Sequence, residues 1–272
     1  MSSEEIDNVK EERNGVLAAE VVLQVLCAFV GAEPRIMLKT LAARARMHPA
    51  KVHRYLVSLC RLGFVRQDPE TGLYQLSDGA LRLGLAATEV IDPVAVSRPI
   101  LRTLRETTQL SAILALWDVT GPVVALREIH PAPLTLFTRV GSSLPLLATS
   151  TGWTFCAWLP HGTVERAIAH ARALPASPET RKWLQHPERM EGLLKAIRRK
   201  GVSYSTGQLN SSVHGLSAPV FDGSGHIACV VSVLGAAGQV DLDLEGPTAQ
   251  ALKDAAARIS LELGWLPTAQ AE

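Results

Sequence analysis

Cysteine is scarce in this chain of 272 residues, which contains only four. Cys27, Cys60, Cys156 and Cys229 lie far apart inside apolar runs. Disulfide frameworks and metal sites instead place cysteines at short, regular spacings. The sequence therefore predicts reduced thiols in the protein core. Because 47% of the residues are hydrophobic, a chain of this length can bury a sizeable core and is expected to form two domains.

Long apolar runs are missing as well. Residues 140–164 carry no formal charge, but Pro145, Gly152 and Pro160 interrupt them, and a membrane span needs about 20 predominantly apolar residues. The first residues, MSSEEIDNVKEER, are acidic and polar, where a secretory signal peptide is basic and then apolar. We therefore expect a cytoplasmic protein with a disordered acidic tail over residues 1–13.

Acidic residues are absent between residues 34 and 67, although the whole chain has a formal net charge of only +1. The cations in this stretch are Arg35, Lys39, Arg44, Arg46, Lys51, Arg54, Arg61 and Arg66. Such an uneven distribution indicates a negatively charged partner.

The same region has the pattern of a winged helix-turn-helix. Apolar residues recur every four positions from Leu17 to Phe29, and the segment MLKTLAARARM repeats the helical pattern. A third helix begins near Pro49 and ends at Gly63. Strand-like residues 64–67 and 73–76 then flank the turn DPETG.

The third helix presents a basic face. Its apolar residues Val52, Leu56 and Leu59 lie on one side, so Arg54 lies on the other, with Lys51 and further polar residues beside it. The second helix of such a pair normally lies in the DNA major groove. The predicted DNA-binding residues are Lys39, His48, Pro49, Ala50, Lys51, His53, Arg54 and Arg66. The alternative, a basic face that is merely solvated, stays open.

Longer motifs resemble one known family. LAARARMHPAKVHRYLVSLCRLGFVRQDPETGLYQLS, with Val52, His53, Arg54, Gly63 and Asp68 at matching positions, resembles the DNA-binding domain of the IclR family of bacterial transcriptional regulators. RVGSSLPLLATSTGW and LSAPVFDGSGHIACVVSVLG resemble segments of that family's second domain, in the same order. The resemblance implies a ligand-responsive DNA-binding transcriptional regulator.

An α+β architecture follows from these patterns. We predict a winged helix-turn-helix domain over residues 14–77, a linker helix over 78–92 and an effector-binding domain over 93–266. Strand-like runs at 112–119, 123–129 and 134–139, a hairpin around DGSG, and helices near 152–159, 187–199 and from Pro247 indicate an antiparallel sheet flanked by helices. The resemblance implies that this domain is GAF-like.

The resemblance also implies where an effector binds. Family effectors lie between the sheet and a segment that corresponds to residues 148–152, where N–H groups at a helix start can hold a carboxylate. The predicted effector-binding residues are Trp117, Phe137, Leu147, Thr149, Ser150, Thr151, Ser205, Gly215, Ser232 and Val233. Two alternatives stay open: the hydroxyls of 149–151 merely cap a helix, and the large apolar side chains are ordinary core.

Departures from the family pattern concern this site. Leu147, Trp153, Gly215, Leu234 and the run STGQ (205–208) stand where the family often has His, Lys, Cys, Ser and DDEE. A pocket with fewer polar groups leaves fewer of them unpaired when an apolar ligand fills it. We therefore expect the effector to be a small organic carboxylate with an apolar or aromatic body.

Catalytic signatures are absent. The sequence has no GxSxG, HExxH, paired CxxC or glycine-rich phosphate loop, and its histidines never fall at paired ligand spacing. Cys156 and Cys229 are the nucleophile candidates of the second domain, and both lie in apolar runs. We expect neither an enzyme nor a metal or cofactor site. A DNA-binding architectural protein without a ligand stays open as the alternative.

Self-association is the remaining expectation. One recognition helix reads few bases, and symmetric dimers read two half-sites of a palindromic operator. We therefore expect at least a homodimer, or a tetramer, that binds double-stranded operator DNA. Val57 and the linker helix from Leu81 to Val90 are the apolar surfaces expected near its interface.

Overall fold

The computed structural model describes residues 15–30, 32–88, 91–131, 139–173, 178–207 and 212–266. The chain divides into two compact units, residues 1–90 and residues 91–272, here called the first and second units. The predicted acidic tail, Phe137 and nearly all of the predicted strand at 134–139 lie outside the described residues. The finer domain boundaries proposed from the sequence stay predictions.

The first unit is a winged helix-turn-helix, as the sequence predicted. Its elements are α1 (Leu17–Cys27), α2 (Leu38–Arg44), α3 (Pro49–Arg61), β1 (Val65–Gln67), β2 (Tyr74–Leu76) and α4 (Asp78–Thr88). Strands β1 and β2 pair antiparallel, and Ile36 bridges to Tyr74 beside them. Val25, Leu41 and Leu56 are buried together, so the three helices share one core with the wing.

Two of the cysteines do not lie in the core. Cys27 is exposed and Cys60 is half-buried, whereas Cys156 and Cys229 are buried. The prediction of a core position is therefore wrong for Cys27. Helix α1 buries Val21 and Val25, and a residue two positions after Val25 lies about 200° further round the helix, on the outer face.

The second unit is an antiparallel sheet between helices. In chain order its elements are α5 (Pro93–Thr108), β3 (Ser111–Asp118), β4 (Gly121–Glu128), α6 (Ser150–Trp158), α7 (His161–Ala173), α8 (Pro178–Gln185), α9 (Pro187–Lys200), β5 (Ser203–Thr206), β6 (Val213–Phe221), β7 (Ile227–Ala236) and α10 (Pro247–Glu262). The strands are ordered β4-β3-β7-β6-β5, and every neighbouring pair is antiparallel.

The two faces of this sheet pack against different helices. Leu114 and Leu216 are buried in one cluster with residues of α5 and α10. Ile113 and Val230 are buried in another with Phe155 of α6. This division follows from the period of a strand, in which successive side chains point to opposite faces.

Helices α7 and α8 were not predicted from the sequence. Helix α7 buries only Val164 and Ala167, and α8 buries only Thr180. Such short or small apolar stripes give a weak periodic signal. Within the ranges that the structure describes, none of the helices has the length and apolar composition needed to cross a bilayer.

Candidate functional site

The start of α3 is fixed by its own sequence. Arg46 has a φ of 53°, which turns the chain after α2. His48 then occupies the N-cap, where its Nδ1 accepts a hydrogen bond from the Ala50 N–H at 3.3 Å. Pro49 follows at the first helical position, where a missing N–H costs no hydrogen bond. His48 and Pro49 therefore set the direction of the helix, in addition to any contact with DNA.

The polar face of α3 is open to solvent. Val52 and Leu56 are fully buried, while Ala50, Lys51, His53 and Arg54 are exposed. Of the other predicted DNA-binding residues, Lys39 is exposed on the first turn of α2, Arg66 is exposed on β1, His48 is exposed and Pro49 is half-buried. All eight predicted side chains are thus at least partly accessible, as a contact with DNA requires.

Some of the cations in this region have structural partners. Arg44 donates hydrogen bonds to the carbonyl oxygens of Ala28 at 2.8 Å and Val30 at 2.7 Å. These carbonyls lie at and just beyond the C-terminal end of α1, so the Arg44 side chain caps that helix. Arg35 Nη1 lies 3.6 Å from Asp68 Oδ2. The high density of cations in the sequence therefore overstates how many of them are available to DNA.

The wing is held by Asp68 and by a cross-strand pair. Asp68 Oδ1 accepts hydrogen bonds from the N–H groups of Glu70 at 2.9 Å and Thr71 at 3.1 Å. These backbone hydrogen bonds, with a smaller contribution from Arg35, hold the pKa of Asp68 below its ordinary value. Arg66 stands opposite Gln75 across the β1–β2 ladder, which positions the Arg66 guanidinium on the exposed side of the wing.

His53 is linked to the wing. Its Nδ1 lies 3.3 Å from the Tyr74 hydroxyl of β2, and Tyr74 is buried in the core of the first unit. An exposed side chain that is anchored in this way loses less conformational entropy when it contacts DNA. The structure thus supports His53 as an oriented member of the surface.

The start of α6 forms the second candidate site. Thr149 is the N-cap: its hydroxyl accepts the Gly152 N–H at 3.0 Å and donates to the Pro145 carbonyl at 2.8 Å. The capping role that the sequence left open is therefore present. A Cβ on Gly152 would lie 2.0 Å from the Leu146 carbonyl oxygen, so only glycine lets this helix approach the preceding loop so closely.

Three serines form a row across the sheet directly beneath α6. The register places Ser203 of β5 opposite Ser217 of β6, and Ser217 opposite Ser232 of β7. The next row contains Ser205, Gly215 and Leu234 in the same order. Residues two positions apart on a strand share a face, so both rows point toward α6.

The first row and the start of α6 share a network of buried hydroxyls. Ser217 Oγ donates to Ser150 Oγ at 2.8 Å and lies 2.7 Å from Ser232 Oγ. Thr151 Oγ1 lies 2.9 Å from Ser232 Oγ and 3.4 Å from Ser217 Oγ. Each of these four residues is at most 2% exposed. We call Ser150, Thr151, Ser217 and Ser232 the hydroxyl cluster.

A second hydroxyl pair and one more serine border the hydroxyl cluster. Thr154 Oγ1, one turn further along α6, lies 2.7 Å from Ser203 Oγ, and Ser203 Oγ donates to the Ser150 carbonyl at 2.8 Å. Ser205 donates to Ser150 Oγ at 3.4 Å from a half-buried position. Hydroxyls can both donate and accept hydrogen bonds. Those of the cluster therefore bond to one another, and they can also rotate to donate to a bound acceptor.

Comparison with known proteins decides what kind of protein carries these two sites. The model of the IclR helix-turn-helix domain matches residues 18–69, and that of the C-terminal domain of the bacterial transcriptional regulator IclR matches residues 85–261. The chain belongs to the IclR family.

Relatives of known structure or name agree with this assignment. HmgR of Pseudomonas aeruginosa is 36% identical, with a TM-score of 0.82 over 93% of this chain and 100% of its own. The HTH-type transcriptional regulator KipR of Bacillus subtilis is 23% identical over 86% of this chain and 92% of its own. An IclR homologue of Microbacterium hydrocarbonoxydans, solved with 4-hydroxybenzoate, is 20% identical with a TM-score of 0.53 over 90% of this chain and 98% of its own.

These findings give the function in coarse terms. The protein is a transcriptional regulator with a helix-turn-helix DNA-binding domain and a C-terminal IclR domain. Its curated relatives are HTH-type transcriptional regulators rather than enzymes. The buried thiols agree with this, because burial raises the pKa of Cys156 and of Cys229 to about 12. Both thiols stay protonated, and hence poor nucleophiles, at neutral pH.

One residue predicted for the IclR-family effector site is on the wrong face. Val233 is fully buried in the cluster that packs against α5 and α10, because it lies between Ser232 and Leu234 on strand β7 and strands alternate. The prediction that Val233 lines the site is therefore wrong. Its neighbour Leu234 is half-buried on the α6 face and packs against the cluster that contains Phe155.

The other predicted site residues that the structure describes lie on the α6 side. Leu147 is fully buried beside Trp153, and Trp117 packs against Phe155 with 5.2 Å between ring centroids. A Cβ on Gly215 would lie 2.6 Å from Leu234 Cδ2 and 3.6 Å from Ser150 Oγ. Ser203 and Ser217 were missed. Ser217 is a polar residue within a mostly apolar strand, a signal that could have drawn attention to it, whereas Ser203 begins the polar strand SYST and gives no such signal.

Proposed function

We propose that this IclR-family regulator binds a palindromic operator through α3 in at least dimeric form. The second unit would alter operator binding when a small organic acid with an apolar or aromatic body binds at the hydroxyl cluster. This cluster, buried at the start of α6, is the observation that carries the proposal. A regulator of chromosomal operators works beside the bacterial chromosome, and we therefore propose a cytoplasmic location.

The hydroxyl cluster suits a carboxylate. Ser150 and Thr151 lie in the first turn of α6, where unpaired N–H groups and the positive end of the helix dipole favour an anion. A carboxylate only accepts hydrogen bonds, and bonds to an ionised acceptor are about twice as strong as those between neutral groups. The hydroxyls that now bond to one another would therefore gain by turning toward a carboxylate.

The surroundings favour an apolar or aromatic body for the acid. The α6 face of the sheet carries a buried apolar cluster that includes Phe155, and Trp117 and Leu234 pack against it. Gly215 has no side chain to compete with Leu234 for this space. The neighbour of known structure from Microbacterium hydrocarbonoxydans binds 4-hydroxybenzoate, an aromatic acid, which supports the same class of ligand for this chain.

Calorimetry with a panel of monocyclic aromatic acids tests this proposal. We expect the wild-type protein to bind at least one acid, and Thr151→Val to bind it about 10- to 150-fold more weakly, because a hydrogen bond to a charged group contributes about 1.5–3 kcal/mol. Thr154→Val is the matched control, since its buried hydroxyl bonds to Ser203 and to the Ser217 carbonyl rather than to a hydroxyl of the cluster. It should leave the affinity for the acid within about twofold of the wild type.

Two results would contradict the proposal. One is heat of binding from neutral or cationic metabolites but from none of the acids. The other is an equal loss of affinity in Thr151→Val and Thr154→Val, which would mean that any buried hydroxyl on α6 matters only for packing.

Association is proposed to involve α4. Leu81 and Leu85 lie one turn apart on α4, and the two residues are 62% and 57% exposed. Val57 of α3 is also exposed. Burying a leucine side chain stabilises an assembly by about 1.5–3 kcal/mol, so these residues favour contact with a second copy.

Light scattering at micromolar concentration tests the assembly. We expect a mass of at least two chains for the wild type, and a shift toward one chain for Leu81→Lys. The control is Leu261→Lys, which changes another exposed leucine, on α10, and should leave the mass unchanged. A wild-type mass of one chain, both with and without operator DNA, would count against the proposal.

A further inference from the structure

A cavity of about 150 Å³ lies in the second unit among residues of α6, α8, α9 and β5. We call it the tryptophan cavity because Trp153 and Trp183 line it, together with Glu179, Leu193, Lys200 and Tyr204 among others. None of the four residues of the hydroxyl cluster belongs to its lining. It is therefore a separate place from the acid site proposed above.

Aromatic side chains line the cavity, and its volume is that needed by one aromatic ring. The rings of Trp153 and Trp183 meet edge to face, with 4.8 Å between centroids and 66° between planes. Aromatic rings prefer such edge or offset contacts with further rings. A volume of about 150 Å³ accommodates a single benzene-sized molecule. Leu193 and Ile197 of α9 add to the apolar lining.

The polar groups of the lining favour a hydrogen-bond donor over an anion. Trp183 Nε1 donates to Glu179 Oε1 at 3.0 Å, and a carboxylate has room to accept further bonds. Lys200 Nζ donates to Glu245 Oε1 at 2.7 Å, and this bond holds the pKa of Glu245 below its ordinary value. The charge of Lys200 is thus already balanced by Glu245. Glu179 forms a longer ion pair, with its Oε1 4.0 Å from Nζ of the exposed Lys182, so an incoming carboxylate would still meet a like charge.

We propose that the tryptophan cavity binds a neutral single-ring aromatic alcohol of the phenol class. Its ring lies against Trp153 and Trp183, and its hydroxyl donates to the Glu179 carboxylate. Ser203 lines the cavity and also donates to the Ser150 carbonyl at 2.8 Å. A ligand in the cavity therefore contacts a residue that is hydrogen-bonded to the start of α6. Together with the acid site, the protein has two small-molecule sites, one for an anion and one for a neutral molecule.

A titration of the full-length protein with 4-fluorophenol, followed by ¹⁹F NMR, tests the site. Ala196 lines the cavity, so Ala196→Leu fills it and should weaken binding more than about tenfold. The matched control is Ala169→Leu, at an exposed position of α7, which should bind like the wild type. Glu179→Gln changes no volume and should weaken binding about threefold or more, because it removes the charged acceptor.

Three outcomes would overturn the proposal. The first is the absence of saturable binding of 4-fluorophenol to the wild type up to its solubility limit. The second is wild-type affinity in both Ala196→Leu and Glu179→Gln, which would place the ligand elsewhere. The third is binding of 4-fluorobenzoate that Ala196→Leu abolishes, which would show that the cavity takes acids. Urea unfolding of each variant verifies that it is folded before titration.

Discussion

Replacing Gly152 by alanine is expected to lower the free energy of unfolding of the second unit by about 3 kcal/mol. The new Cβ would lie 2.0 Å from the carbonyl oxygen of Leu146 and 2.8 Å from its Cα. Because these are backbone atoms, no rotation of a side chain relieves the overlap, and the loop or the helix start must move. The same shift should weaken binding of the acid, since Ser150 and Thr151 immediately precede this position.

The matched control substitution is expected to raise the free energy of unfolding instead of lowering it. Gly192 lies within α9, and a Cβ there would meet nothing within 4 Å. Gly192→Ala should therefore stabilise the second unit by about 0.5–1 kcal/mol, which is the ordinary preference of a helix for alanine. Both changes can be measured by urea unfolding followed by tryptophan fluorescence, because all five tryptophans lie in the second unit. Equal stability of the two variants would contradict the account of the α6 start.

Replacing Arg54 or His53 by alanine is expected to weaken operator binding by about 1–3 kcal/mol, which is roughly 5- to 150-fold. Both side chains are exposed on the polar face of α3, where a recognition helix meets base edges. Each loss should relax the preference for one base pair, because a base-edge contact carries sequence information. Anisotropy titrations with operator fragments that differ at single positions measure this effect.

Replacing Lys51 is expected to affect operator binding differently from replacing Arg54 or His53. It is assigned to a phosphate, so Lys51→Ala should lower affinity equally for all sequences and reduce the slope of log affinity against log salt by about one. Arg181→Ala, on an exposed position of α8, controls for the loss of one positive charge. Unchanged affinity in both Arg54→Ala and His53→Ala, or a base-specific effect of Lys51→Ala, would refute this docking model.

The first unit could be read from the sequence because its signals are local. Pro49 and Gly63 bracket the third helix, the apolar positions of α3 recur at the helical period, and DPETG marks the wing turn. Each of these features depends on residues close together in the chain. The same reasoning wrongly placed Cys27 in the core, because its neighbours in the sequence are apolar. Helix α1 buries the face that carries Val21 and Val25, and Cys27 lies on the opposite, exposed face.

The second site depends on pairing between distant segments, which the sequence does not display. Ser203, Ser217 and Ser232 form one row only because β5, β6 and β7 pair in one particular register. A slip of one residue would turn each serine to the opposite face. Val233 was predicted as one of the apolar side chains that contact the effector, and the alternation of β7 places it with α5 and α10 instead.

The most direct test of the account is operator affinity as a function of added acid. Operator fragments are selected from genomic DNA with the purified protein, and anisotropy titrations then compare wild type, Thr151→Val and Thr154→Val in the presence of each aromatic acid. We predict that at least one acid changes the operator affinity of the wild type and of Thr154→Val about 5- to 150-fold, and leaves that of Thr151→Val nearly unchanged. Tight operator binding that ignores every acid would contradict the account and favour an architectural protein.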